Sequence, residues 1–458
     1  MDDVSNQALK NSKRLSLRKL LAWVGASFGA LVLALAVLIF VFGGAILNGY
    51  GRRKAERAFG EAHPGCVLHI GDLDYAVGAN RLIARTVTLT VSNTTLKAEQ
   101  ISLVGVHWAR FIWGTATRAE DFARASLDAT NIDAEFPQAH YGLRCARLQA
   151  TVPGSELIAE GIELRALGSD EEFFAAHDFR TTRFNVVVPE CRVLGLEYGE
   201  MLAGKSYRAS TVQFSGPTLD ALVNRDKMLA PYVKSPLMVN EALATLRQPL
   251  QIDSLTITNG CLRYCERLVV GAEPGVLTIS AVNLAAVGIA NRGPATAAIA
   301  LRGQGELMNV GTLKVLMSIP IMSPDFALHY SGSIGAMDLT RLTPFLDIAE
   351  HTRLTSGALE QAAFEIDVTA GQARGHVVAI YGNLEIALLD QKTGNAQGID
   401  DRVASFLANA LKIRSSNAPD ASGLMKEGVV NYTRKPGDEF QQFAWFALRS
   451  GLLDIISR

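Results

Sequence analysis

The sequence predicts a mainly β protein: a single N-terminal transmembrane helix, then an extended, twisted, mostly antiparallel β-sheet with a groove-like face, a few short helices and C-terminal amphipathic helices. Three observations predict it. Residues 20–50 carry no charge, most later segments alternate apolar and polar residues with period two, and only a few stretches space their apolar residues as a helix does.

The uncharged run is bounded by Lys10, Lys13, Arg14, Arg18 and Lys19 on one side and by Arg52, Arg53, Lys54 and Arg57 on the other. It exceeds the ~20 residues that cross ~30 Å of hydrocarbon and exceeds a signal-peptide core. Trp23 and Tyr50 suit the two interfaces. A cleaved signal is the alternative, and no small-residue cleavage pattern supports it. The basic flanks nearly balance, and Asp2 and Asp3 dilute the first, so charge counting favours a cytoplasmic N-terminus only weakly. The expected order is a basic cytoplasmic arm at 1–19, the span at 20–50, a juxtamembrane helix at 51–65 stopped by Pro64-Gly65, a β-rich domain at 66–398 with a helical excursion at 219–246, and a helical segment at 399–458.

The strands are read from parity. Within 81–92, Ile83, Val87, Leu89 and Val91 share one parity while Thr86, Thr88 and Thr90 share the other, as expected of a strand with one dry face. The alternation returns in Phe184, Val186 and Val188, in Ala297, Ile299 and Leu301, in Phe326, Leu328 and Tyr330, and in Phe364, Ile366 and Val368. Residues 376–389 continue it around a turn at Gly382-Asn383. Three stretches break the pattern. Residues 219–246 have aliphatics at helical spacing interrupted by Pro231 and Pro236, which reads as short helices or a lid-like excursion. In 400–413, Val403, Phe406, Leu407, Ala410 and Leu411 form one helical stripe. In 439–457, Phe440, Phe443, Leu448, Leu452 and Ile456 are candidates for a buried face. Both helices can pack on the sheet or meet a membrane or partner.

Composition bounds the chemistry. With 48% hydrophobic residues, 19% charged and a net charge of -1, the chain can bury a large core, and nothing points to nucleic acid. Cys66, Cys145, Cys191, Cys261 and Cys265 form no dense disulfide framework and no CxxC pair. Cys261 and Cys265, four apart on a strand, point the same way but too far apart to bridge each other; a bond to Cys145 or Cys191 would need an oxidising compartment. The eight histidines show no HExxH spacing, so neither a metal site nor a cofactor is expected. Asp72 and Asp74 read as a solvated surface pair, and Asn93 and Asn431 begin short glycosylation-like triplets.

Residues 199–206, Gly-Glu-Met-Leu-Ala-Gly-Lys-Ser, match the phosphate-loop pattern, in which Lys205 would neutralise phosphates and Ser206 would hold magnesium. The context argues against it. Such a loop opens a long helix, whereas residues 207–215 are β-rich and end at Gly216-Pro217. No nucleophile elbow or dinucleotide fingerprint occurs, so no catalytic residue is assigned.

A short arm, one span and a β-rich domain opening with Val67-Leu68-His69-Ile70-Gly71-Asp72-Leu73 resemble the AsmA-like envelope proteins, a group that includes the TamB type. Residues 251–264 are similar to that group's phrase in which a strand reaches an Asn-Gly turn and a second strand begins with Tyr. Residues 206–227, with Val212, Phe214, Pro217, Leu219 and Arg225-Asp226-Lys227, are similar to another and recast the apparent phosphate loop as the approach to a strand. Residues 356–375 resemble the family's late sheet, and the likeness covers most of 64–390. It implies a domain anchored in the bacterial inner membrane by one pass, with the β-rich part in the periplasm and an apolar concave face that holds acyl chains.

Two functions follow as expectations. One is lipid binding or transport in envelope biogenesis, with membrane lipids of phospholipid or lipid A type and envelope proteins as partners, and Ile83, Val87, Leu89, Val91, Phe364, Ile366 and Val368 lining a groove. The other is a non-catalytic assembly scaffold in which the same residues form a closed core. Large bare apolar faces are rarely left in water, so the face needs a cover of helix, sheet or lipid.

Overall fold

The structure, a computed structural model, describes residues 52–53, 56–57, 60–61, 65–76, 79–106, 122–202, 204–229, 236–389 and 413–457. The expected span at 20–50 lies outside the described residues, as does the helix expected at 400–413 apart from its last residue. Among the described residues no helix is long and apolar enough to cross a membrane. The protein is mainly β and divides into two compact units, Met1–Arg147 and Leu148–Arg458.

In the first unit, β1 (Cys66–Ala76), β2 (Arg81–Val91), β3 (Thr94–Val104) and β4 (Ser126–Phe136) pair antiparallel in sequence order. Their shared face is buried: Ile70, Val87, Ala98 and Ile132 lie in register across it, as do Leu68, Leu89, Leu96 and Ala134. All four strands skip a pairing at one level, occupied by Gly71, Thr86, Glu99 and Asn131, and Thr86 and Asn131 there have φ of 52° and 48°. A left-handed residue turns a strand over, so the buried parity changes across it. Leu82 and Ala84 are buried before Thr86, Val87 and Leu89 after it. This corrects the unbroken parity expected of the strand. Ile83 does not share a face with Val87; it is half-buried opposite Asp74 and Ser102. From the preceding helical residues, Arg52 donates to the Gly71 carbonyl at 2.6 Å and Glu56 accepts from the Ile70 amide at 2.8 Å.

β5 (Tyr141–Thr151) carries the chain into the second unit. There follow β6 (Glu156–Ala166), α1 (Asp170–Ala175), β7 (Thr182–Leu194), α2 (Tyr198–Leu202), β8 (Tyr207–Ser215), β9 (Thr218–Asn224), α3 (Val239–Ala244), β10 (Leu250–Arg267) and β11 (Gly275–Ala290). Then come β12 (Ala298–Leu307), β13 (Gly311–Pro320), β14 (Leu328–Ile334), β15 (Met337–Asp338), α4 (Thr343–Ala349), β16 (Thr352–Thr369), β17 (Gln372–Leu388), β18 (Gly428–Thr433) and α5 (Phe440–Ile456). The pairing is antiparallel except where β8 and β9, end to end between β7 and β10, run parallel to β10.

Three expectations are corrected here. The Asn-Gly turn expected after Thr258 and the turn at Gly382-Asn383 are not turns. Asn259 and Asn383, with φ of 53° and 55°, are kinks inside the single strands β10 and β17. Asn tolerates the left-handed region in a bulge as well as in a hairpin, so the residue signal alone does not distinguish them. The helical excursion at 219–246 opens instead with β9, and its described helix is only α3. Leu219, Leu222 and Val223 have helical spacing, but pairing to both β7 and β10 overrides that local preference. Finally, the fully buried residues of α5 are Phe443, Ala447, Gly451 and Ile455; Phe440, Leu448, Leu452 and Ile456 flank them half-buried. The seam is centred on small residues because the helix backbone lies almost against the sheet.

Candidate functional site

Residues paired in register place their side chains on the same face of a sheet. In the second unit this produces an unbroken apolar row: Ala159, Cys191, Phe214, Ile257, Leu284, Gly303, Val315, Gly332, Phe364, Val377 and Gly428, each the partner of the next. A parallel row runs through Leu157, Val193, Val212, Leu255, Ala286, Leu301, Met317, Tyr330, Ile366, Gly375 and Val430. The second row's single polar side-chain group is the Tyr330 hydroxyl, which donates to the Ala444 carbonyl at 3.1 Å. Burial pushes its pKa upward, which keeps it a neutral donor.

The rows are not covered evenly. At β14, β16, β17 and β18 they are sealed: Tyr330, Phe364, Ile366, Val377 and Val430 are buried, joined in one core with Phe443, Ala447 and Ile455 of α5. Phe326 packs edge-on against Phe443, ring centroids 5.1 Å apart. On β10 to β13 the face is half-open: Ala286 is buried, but Leu255, Ile257, Leu284, Leu301, Val315 and Met317 are of intermediate exposure, all but Ile257 packed against the edge of that core. Helices close the two ends of this strip. At one end a Cβ on Gly275 would lie 3.0 Å from the Phe345 carbonyl oxygen, so the α4 backbone rests on β11, and Tyr264 meets the Phe345 ring at 5.9 Å. At the other, Met238 is buried beside α3 in the same core as Ile319 and Phe326, with Val239 and Leu243 packed against it. On the reverse face of β12 and β13, Arg302, Gln304, Glu306 and Lys314 are exposed.

The residues expected to line a groove stand elsewhere. Val87 and Leu89 lie in the buried face of the first unit, 3% and 2% exposed, and Val91 is half-buried at the end of the same strand. Phe364, Ile366 and Val368 belong to the second unit's core, Ile366 with no exposed surface. The expectation of an open lining is corrected for Phe364 and Ile366 because their face is covered by α5. The half-open positions Leu284, Leu301 and Val315 were missed. Around them the alternation is diluted by Ala285, Ala286, Gly303 and Gly305, which carry little apolar signal.

A polar cluster closes the α4 end. Arg225 pairs its charge with the Glu266 carboxylate at 2.6 Å and donates to the Ala349 carbonyl at 2.7 Å, and Tyr264 donates to Glu266 at 2.6 Å. Burial first, then the neighbouring Glu266 charge, raises the Tyr264 pKa, so the hydroxyl stays protonated against the carboxylate. Desolvation likewise raises the Cys265 thiol, which makes it a poor nucleophile.

The apparent phosphate loop is a turn between a helix and a strand. Residues 198–202 form α2 before the Lys205-Ser206 pair, and Ser206 leads directly into β8, so no helix opens after it. The Gly204 and Lys205 amides are used on the Met201 and Glu200 carbonyls, each at 3.0 Å, and the Ser206 hydroxyl bonds the Glu200 carboxylate. None of these groups is aimed at a phosphate. Among the described residues no cluster of three or more His, Cys, Asp or Glu side chains could hold a metal. Comparison with protein-family models and with curated proteins finds no match.

Proposed function

We propose that this chain is an AsmA-like, membrane-anchored protein that binds or transports lipids in envelope biogenesis through the half-open apolar strip of its second unit. Its anchor is the uncharged run at 20–50, its membrane the bacterial inner membrane, and its β-rich part periplasmic. The observation that carries the reading is the pair of apolar rows, closed by α5 at one flank and left half-open on β10 to β13. An acyl chain matches such a strip chemically. Each buried methylene contributes about 0.8 kcal/mol, so a strip that accommodates a dozen offers gross binding on the order of 10 kcal/mol before ordering costs.

The sealed core beneath α5 supports a second reading, a non-catalytic scaffold of the envelope, in which the remaining strip is only the thin edge of an ordinary core. Mass spectrometry of lipids that copurify with the detergent-solubilised protein separates the two. The lipid reading expects a bound lipid in the folded wild type, lost in Leu284→Asp but kept in Leu316→Asp, whose side chain is on the reverse face. A folded wild type that carries no lipid favours the scaffold.

A further inference from the structure

We infer that Gly303 is the position at which a hydrocarbon chain crosses β12, and that its missing side chain determines how much chain the strip admits. This rests on the lipid-handling reading above. Three glycines on the apolar face lie close together, and they differ in what fills the space above them. Over Gly305, a Cβ would come within 2.9 Å of Ile279 Cγ2, and over Gly332 within 2.9 Å of Phe364 Cε1. Neighbouring side chains have already taken those gaps. Over Gly303 the nearest atoms, among them Leu284 Cδ1 and Leu301 Cδ2, are 4.0 Å away. It is therefore a notch one residue wide, with Leu284 and Val315 as direct partners on either side and Leu301 next along the strand. The charged and amide side chains beside it, Arg302 and Gln304, belong to the opposite face because neighbours alternate along a strand.

Apart from the Asn283 carbonyl oxygen, also 4.0 Å away, the atoms around the notch are aliphatic, so it favours hydrocarbon over a polar ligand. Its backbone needs no glycine for conformation, since Gly303 has no positive φ. That leaves space as the reason for the glycine and makes the site testable without unfolding the protein.

The experiment is lipid retention by the detergent-purified chain, with Gly303→Leu compared with wild type and with Ala300→Leu, which places the same leucine side chain on the reverse face. Unchanged melting and circular dichroism certify the fold, and Gly303→Ala provides a smaller step if the leucine variant misfolds. Retained lipid is expected to fall roughly tenfold in Gly303→Leu, or to shift to shorter chains, and to be unchanged in Ala300→Leu. Equal retention of the same chain lengths by wild type, Gly303→Ala and a folded Gly303→Leu would overturn the inference while leaving the lipid reading intact. Absence of lipid from the wild type itself overturns both.

Discussion

Gly451 of α5 rests directly on Gly428 of β18: a Cβ added to Gly428 would lie far inside van der Waals contact distance of the Gly451 carbonyl oxygen, and one added to Gly451 would come 2.6 Å from Val377 Cγ2. This glycine pair lets the helix lie on the sheet at backbone distance. The helix also satisfies β18, since Asp454 accepts from the Val429 amide at 2.9 Å and the Ser450 hydroxyl from the Asn431 amide at 3.2 Å. Gly428→Ala is expected to cost about 2 kcal/mol or more by overpacking. Thermal or urea melting checks this, and an unchanged midpoint would mean that the helix does not seat there.

The Thr86 kink supplies a test in the first unit. A β-branched residue at φ 52° is strained, while glycine adopts that region freely. Thr86→Gly is expected to stabilise by roughly 0.5–1 kcal/mol after the entropy of the added glycine is subtracted. Asn131→Gly should gain less, because Asn already tolerates the left-handed region. Equilibrium denaturation of the two variants reads the difference.

Glu439, at the start of α5, has its pKa raised, chiefly by burial, with the Gln441 hydrogen bond opposing that shift. A raised carboxyl pKa favours the protonated form in the folded state. The stability it contributes is therefore present below the ordinary carboxylate range and is lost as pH rises through the folded value. Glu439→Gln is expected to melt above wild type at neutral pH, with the difference vanishing in acid. Melting curves across that range check the sign.

Much of the β architecture was legible because alternation survives wherever large apolar residues alternate with polar ones, as in Phe364, Ile366 and Val368. Long-range pairing was not legible in the same way. β9 carries aliphatics at helical spacing and becomes a strand because β7 and β10 flank it, and Asn259 and Asn383 signal a change of direction without saying whether it is a turn or a kink. The site failed for a related reason. The most strongly patterned residues, Val87 and Ile366, are those the fold buries completely, whereas the half-open strip is built partly of Gly and Ala, whose small side chains leave the space and leave little signal.

On the proposed lipid-handling reading, one face of β13 meets lipid and the other does not. A photoreactive diazirine amino acid placed singly at Val315 and at Leu316, adjacent residues on opposite faces, tests it most directly. Irradiation in native membranes is expected to attach lipid at 315 and not at 316. Lipid adducts equal at both positions, or absent from 315 in a folded protein, would contradict the account.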